Sequence, residues 1–282
     1  MLARPADTTR ARAGRAAASA TPDLAPTSRA YDRSMRQRHD RDLLAASFDR
    51  AAEVYDASRP GYPAEAVAWI AEGVAGDALD LGAGTGKLTA SLVEAGLTVT
   101  AVDPSPEMLR VLGERLPGVE ARLGTGESLP VPDASQDLVV AAQAWHWVDT
   151  ERAVPEVARV LRPGGRIGLL WNDRDERVDW VRRLGELIGA GDAYSGDEEE
   201  PVVGPPFGEL ERRDVPWTQR LDLEGLLDLV RSRSYFITKD PDAQAAVIAS
   251  VRRLHAEHPE LAGAATIELP YVTRAYRAAL AG

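Results

Sequence analysis

The residues best suited to chemistry lie in one run, Ala78-Leu79-Asp80-Leu81-Gly82-Ala83-Gly84-Thr85-Gly86-Lys87-Leu88. An apolar stretch carrying one acid, Asp80, meets three alternately spaced glycines, Gly82, Gly84 and Gly86. Where β-carbons are missing, a ligand can approach the backbone closely, so the run reads as a buried strand entering a tight binding turn. A second acid, Asp103, ends the next apolar segment, Leu97-Thr98-Val99-Thr100-Ala101-Val102. Strand, glycine turn, helix, strand and acid in that order are how an α/β fold holds an adenosine-bearing cofactor.

The glycine spacing narrows the cofactor. A dinucleotide turn uses G-x-G-x-x-G, its third glycine bringing a helix N-terminus close to a pyrophosphate. Here the order is G-x-G-x-G, and Leu88 follows Lys87. A phosphate P-loop needs Gly five residues before the Gly-Lys pair and Ser or Thr after it; this chain has Leu81 and Leu88.

The elements that must position this turn read as alternating helix and strand. Helices are expected at 43–57, 64–75, 88–95, 106–116 and 150–161, and strands at 78–81, 98–102, 119–123, 137–142 and 166–171. This rhythm predicts a doubly wound, mostly parallel sheet with helices on both faces. Beyond Trp171 it loosens: helices at 178–188, 223–232 and 242–257, strands at 212–219 and 266–269, and an acidic solvated loop at 189–208. The strand ends would build the ligand crevice. The division is therefore a leader over 1–42 and one domain over 43–282, with a cofactor core at 76–172 and substrate-side elements at 173–282.

Composition removes whole classes of function. The 282 residues include no cysteine, which excludes disulfides, thiolate catalysis and Cys-based metal sites. The four histidines have no metal-ligand spacing, so no metal is expected. A net charge of -11 argues against a general nucleic-acid surface, and no apolar stretch is long enough to span a membrane. Residues 1–42 hold nine Arg, five Asp and three Pro with little apolar periodicity, which reads as a disordered extension of a cytoplasmic protein. A transit peptide is the alternative, but Arg outnumbers Lys 31 to 2 throughout the chain, so the leader's Arg content says little about targeting.

Further segments carry a family likeness. Gly124-Thr125-Gly126-Glu127-Ser128-Leu129-Pro130, Asp133-Ala134-Ser135-Gln136-Asp137 and Leu161-Arg162-Pro163-Gly164-Gly165 join the glycine turn. Together they resemble the motifs of class I S-adenosylmethionine (SAM) methyltransferases of the type 11 group, over roughly residues 48–172. Tyr55-x-x-x-Arg59-Pro60-x-Tyr62-Pro63, Ala144-Trp145-His146-Trp147-Val148-Asp149, Ser232-Arg233-Ser234-Tyr235 and Leu269-Pro270-Tyr271 resemble the trans-aconitate methyltransferase-like branch.

The resemblance implies a Rossmann-like seven-stranded sheet with an antiparallel last strand, SAM as cofactor and a small-molecule acceptor, carboxylate or hydroxyl ahead of carbon or nitrogen. It places Gly82, Gly84 and Gly86 along the methionine and ribose of SAM, Asp80 toward its amino end, and Asp103 on the ribose hydroxyls. Pro104, Ser105 and Met108 would flank the adenine. In many relatives an Asp stands where this chain has Thr125, so the adenine amino group falls to Thr125, Glu127 or backbone. Tyr55, Arg59 and Tyr62 would fold over the methionine end, with Arg59 on the carboxylate, or else merely position the first helix. Gln143 would sit beside the transferred methyl. Trp145 and Trp147 could face a sulfonium through cation–π attraction, with His146 as general base; equally, both indoles could cover the sheet while His146 caps a turn. Arg231, Arg233 and Tyr235 are candidates for binding an acidic acceptor, against an ordinary charged helix face. The competing function is a noncatalytic SAM- or nucleotide-binding regulatory module.

Overall fold

The computed structural model describes residues 59–188 and 200–281. The expected leader, the helix at 43–57, Tyr55 and residues 189–199 of the expected acidic loop lie outside the described residues.

The alternation expected from sequence is present. Helix α1 (Ala64–Ile70) precedes strand β1 (Asp77–Leu81), followed by α2 (Lys87–Glu94), β2 (Thr98–Asp103), α3 (Pro106–Arg115), β3 (Glu120–Leu123) and β4 (Gln136–Ala142). Then come a single 3₁₀ turn (Trp145–Trp147), α4 (Thr150–Val160), β5 (Leu161–Arg174) and α5 (Asp179–Ile188). The C-terminal part holds β6 (Glu211–Leu221), α6 (Leu223–Arg231), α7 (Ser234–Ile237), α8 (Pro241–Glu257) and β7 (Ile267–Ala279). The seven strands order as β3-β2-β1-β4-β5-β7-β6. Pairings from β3 to β5 are parallel, and β7 runs antiparallel to both neighbours. This is the mixed, doubly wound sheet expected.

Strand periodicity explains the layering. Successive side chains point to opposite faces, and the central strands are apolar on both. Leu79, Leu81, Val139 and Ala141 join one buried cluster with Ala153, Val154 and Val157 of α4. Ala78, Leu138 and Val140 join another with Val67 and Ile70 of α1 and Leu88 and Leu92 of α2. A third cluster packs α5, α6 and α8 on the start of β7. The sheet is thus sandwiched, and only strand ends remain for a ligand.

Two strands outrun their sequence expectation. Strand β5 begins at Leu161 and not at Arg166: Gln136 pairs with Leu161 and Leu138 with Arg166, so Arg162–Gly165 bulge out between the two pairings. Strand β7, expected over four residues, spans thirteen. Its arginines have partners on neighbouring elements: Arg274 pairs with Asp173 of β5 at 2.6 Å, and Arg277 lies 4.4 Å from the ring centroid of Trp69 on α1 while pairing with Glu72, just beyond that helix, and Glu211 of β6.

Candidate functional site

The turn after β1 is set by backbone geometry. Gly82, Gly84 and Gly86 have φ of 68°, 53° and 85°, a region that side chains with a β-carbon rarely adopt. The amides of Gly82 and Ala83 both donate to the Val102 carbonyl, at 2.8 and 3.1 Å, which binds the turn to the end of β2. A β-carbon at Gly82 would fall 2.4 Å from that of Ala144, so the segment leaving β4 can approach only because Gly82 is bare.

The two acids flank this turn differently. Asp103 is 7% exposed. Its Oδ2 accepts from the Gly84 amide at 2.8 Å and its Oδ1 from the Ser105 amide at 2.9 Å. One carboxylate therefore fixes both the glycine turn and the entry to α3, whose N-cap is Ser105 accepting from the Met108 amide. With about four lone-pair sites, Asp103 retains capacity for ligand hydroxyls. Asp80 is buried, and its Oδ2 accepts from the Thr89 hydroxyl at 2.6 Å. Its Oδ1 is buried with no hydrogen-bond partner. Burial, opposed by the Thr89 hydroxyl and reinforced by the charge of Asp103, pushes the Asp80 carboxyl up to about 7.

These residues open onto a cavity of about 560 Å³, within the range of small-ligand sites. Its walls include Asp80, Gly82–Thr85, Asp103–Ser105, Met108 and Thr125–Glu127 on the glycine-turn side. Arg59, Tyr62, Gln143, Trp147, Asn172, Arg233 and Tyr271 also line it. Glu127 is anchored: burial raises its carboxyl, but the Asp149 amide at 2.7 Å and the Thr125 hydroxyl outweigh this and hold it below the usual range. Thr125 in turn bridges to Ser128.

A polar network ties the strand ends to the segment before α1. Trp217 Nε1 donates to the Thr273 hydroxyl at 2.8 Å, which donates to Asn172 Oδ1 at 2.6 Å. Asn172 Nδ2 donates to the Gly61 carbonyl at 2.9 Å. Gln143, at φ 55°, donates through Nε2 to the Asn172 carbonyl at 3.2 Å. Holding a residue with a β-carbon in this region costs about 1–3 kcal/mol, and it points Gln143 at the cavity. Arg59 Nη2 donates to the Ser232 carbonyl at 3.3 Å, joining the same segment to the end of α6.

Several expectations need correction. The Trp145-His146-Trp147 residues do not present one face to the cavity, although the His146 and Trp147 rings lie 4.8 Å apart. Trp145 is 2% exposed and its indole donates to the Val202 carbonyl, in the core and away from the cavity. His146 accepts at Nδ1 from Trp171 Nε1 at 3.4 Å and is not part of the cavity wall. Trp147 alone reaches the cavity. Arg231 also lies off the wall, paired on its own helix with Asp228 at 2.6 Å, whereas Arg233, beyond the helix end, is 8% exposed and lines the cavity. Tyr55 and the side chain of Tyr235 lie outside the described structure. Sequence reasoning missed Asn172, Thr85 and Tyr271. Position at a strand's C-terminal end was the signal for Asn172, and place within the glycine turn for Thr85.

The set of acceptors suits an adenosylated amino acid. Asp80 Oδ1, an orphaned buried acceptor, fits an ammonium, Asp103 fits vicinal hydroxyls, and the bare turn fits close approach. Among the described residues, no group of three acidic or imidazole side chains could hold a metal, and no helix is long and apolar enough to cross a membrane.

Comparison with known proteins agrees with this geometry. A family model described as a methyltransferase domain matches residues 79–169. An uncharacterized methyltransferase of Mycobacterium tuberculosis is 52% identical over 240 residues, covering 84% of this chain and 97% of that protein. A malonyl-[acyl-carrier protein] O-methyltransferase of Methylococcus capsulatus is 43% identical over 95 residues, 32% of this chain and 34% of that protein. The solved structure of an Anaeromyxobacter dehalogenans protein, described provisionally as a type II methyltransferase, is similar at a TM-score of 0.61. The two are 26% identical, over 78% of this chain and 97% of that one.

Proposed function

This chain belongs to the class I SAM-dependent methyltransferase family, and we propose that its cavity binds SAM over the glycine turn for methyl transfer to an oxygen of a small acceptor, a carboxylate or a hydroxyl. The observation that carries the reading is the acid pair around the turn, with Asp103 bonded into it and Asp80 Oδ1 buried without a partner. Bound there, SAM supplies an electrophilic sulfonium methyl.

The protein's part is to align and to exclude water. Asp80 accepts from the ammonium and Asp103 from the ribose hydroxyls. Pro104 and Met108 flank the adenine, with Thr125 and Glu127 at its edge. Arg59 and Tyr62 cover the amino-acid end, held there through Asn172 and Ser232. Gln143 and Trp147 shape the space beside the methyl. A carboxylate acceptor is already a nucleophile and asks for no base, which agrees with the position of His146 off the cavity wall. The partial likeness to a malonyl-carrier-protein O-methyltransferase supports oxygen as the acceptor atom.

The test is S-adenosylhomocysteine (SAH) formation from SAM across a panel of carboxylic acids and phenols. Acceptor-dependent SAH release supports the reading. Tight SAM binding with no turnover on any acceptor would favour a regulatory binding module instead.

A further inference from the structure

Tyr271 carries a hydroxyl that the fold does not use. The residue is 1% exposed, and its hydroxyl is buried without a hydrogen-bond partner, yet it lines the cavity. Its ring is held on one face of the sheet: it stacks on Trp217 of the neighbouring strand at 5.1 Å and 18°, and both pack in the apolar cluster built by α6 and α8. A phenylalanine would supply the same packing and remove a buried orphan hydroxyl, which ordinarily costs about 1–3 kcal/mol to keep. Buried hydroxyls are almost always bonded, so one left unpaired at a cavity wall is suited to a ligand.

The surroundings decide which ligand. Tyr271 lies near the start of β7, opposite Arg174 of β5 and Trp217 of β6. The acids on the wall, Asp80, Asp103 and Glu127, gather around the glycine turn, whereas Arg233 follows the end of α6, a helix packed in the same cluster as Tyr271. A phenol that donates one hydrogen bond, on a wall that also carries a guanidinium, matches an oxyanion.

We propose that Tyr271, together with Arg233, binds the acceptor's carboxylate, with the Tyr271 hydroxyl donating to one of its oxygens. The residue is acceptor-binding, not cofactor-binding. This proposal rests on the reading of the cavity as a SAM-dependent carboxylate methylation site.

The experiment compares wild type, Tyr271→Phe and Arg233→Gln in the full chain. SAH binding is followed by calorimetry, and binding of malonate, succinate and benzoate to the SAH-saturated protein by thermal shift. Expected for Tyr271→Phe are an SAH affinity within twofold of wild type, an unliganded melting temperature unchanged or higher, and acid binding at least tenfold weaker. Arg233→Gln should show a comparable loss for the acids. SAH binding tenfold weaker in Tyr271→Phe would overturn the proposal by making the hydroxyl a cofactor contact. A melting temperature lower by 5 °C or more would overturn it by making the hydroxyl structural. Acid binding equal to wild type in Tyr271→Phe, or no acid bound by the SAH-loaded wild type, would also overturn it. Failure of wild type to bind SAH at all would instead strike the cofactor reading beneath it.

Discussion

Replacing Asp80 by Asn should separate what this residue costs the fold from what it gives the ligand. Burial lifts its carboxyl from 3.8 to about 7, so the folded chain keeps a proton that the unfolded chain releases. Between about pH 4 and 7 the native state therefore binds more protons than the unfolded state, and stability falls as pH rises. The contribution is fully present below pH 4, is lost progressively up to pH 7, and is level above that. Roughly three pH units at about 1.4 kcal/mol each set an upper bound of about 4 kcal/mol lost by neutral pH. Asparagine keeps an acceptor for the Thr89 hydroxyl and carries no charge, so it escapes the loss. At pH 8, Asp80→Asn should raise the melting temperature of the unliganded protein by up to about 8–16 °C, at about 2–4 °C per kcal/mol for a domain of this size. Ligand binding should move the other way. The ionised carboxylate is the form that accepts from an ammonium, so wild-type SAH affinity should rise from pH 6 to pH 8, while Asp80→Asn should bind at least tenfold more weakly at pH 8 and show little pH dependence. Thermal melts and calorimetric titrations at pH 5, 6, 7 and 8 provide both readouts. If the two proteins show the same stability profile across that range, or if wild-type SAH affinity does not change with pH, the argument from buried charge fails.

Asp103→Ala removes the acceptor for two backbone amides and, with it, the ribose contact proposed above. SAH binding should weaken at least tenfold, about 1.4 kcal/mol, with a stability loss of about 2 kcal/mol in urea unfolding; unchanged affinity would remove Asp103 from the site. His146→Ala should lower the methylation rate of a carboxylate acceptor less than threefold at saturation, because its ring lies off the cavity wall; a hundredfold loss in steady-state rate would restore it as a base. Asn172→Ala releases the Gly61 carbonyl and leaves the proton of the buried Thr273 hydroxyl without its acceptor, the Trp217 indole still donating to that oxygen. It should destabilise by about 1–3 kcal/mol and weaken SAH binding severalfold as the segment at residues 59–62 loses its anchor, and a variant matching wild type in both measurements would show that the network does not hold that segment.

The glycine-turn wall of the cavity was legible because its determinants are local. Glycines two residues apart, the acid before them and the acid at the next strand end all sit within one strand–turn–helix–strand unit, so sequence spacing maps directly onto space. The opposite wall of the cavity is assembled from distant pieces: Arg59, Gln143, Asn172, Arg233 and Tyr271 meet only through the folded sheet. The length of β7 was hidden by Pro270, which local rules read as a strand end, and by Arg274 and Arg277, which look solvent-facing until Asp173, Glu72 and Trp69 are seen beside them. The run at residues 145–147 was legible as unusual but not as three separate roles, since neither helical nor strand periodicity applies to a single 3₁₀ turn.

The central claim is that the cavity over Gly82–Gly86 is a SAM site. Calorimetric titration of the wild-type chain at pH 8 with SAH, and separately with NAD, tests it most directly. The account predicts one SAH bound per chain and no heat from NAD; NAD binding, or no SAH binding at millimolar concentration, would contradict it.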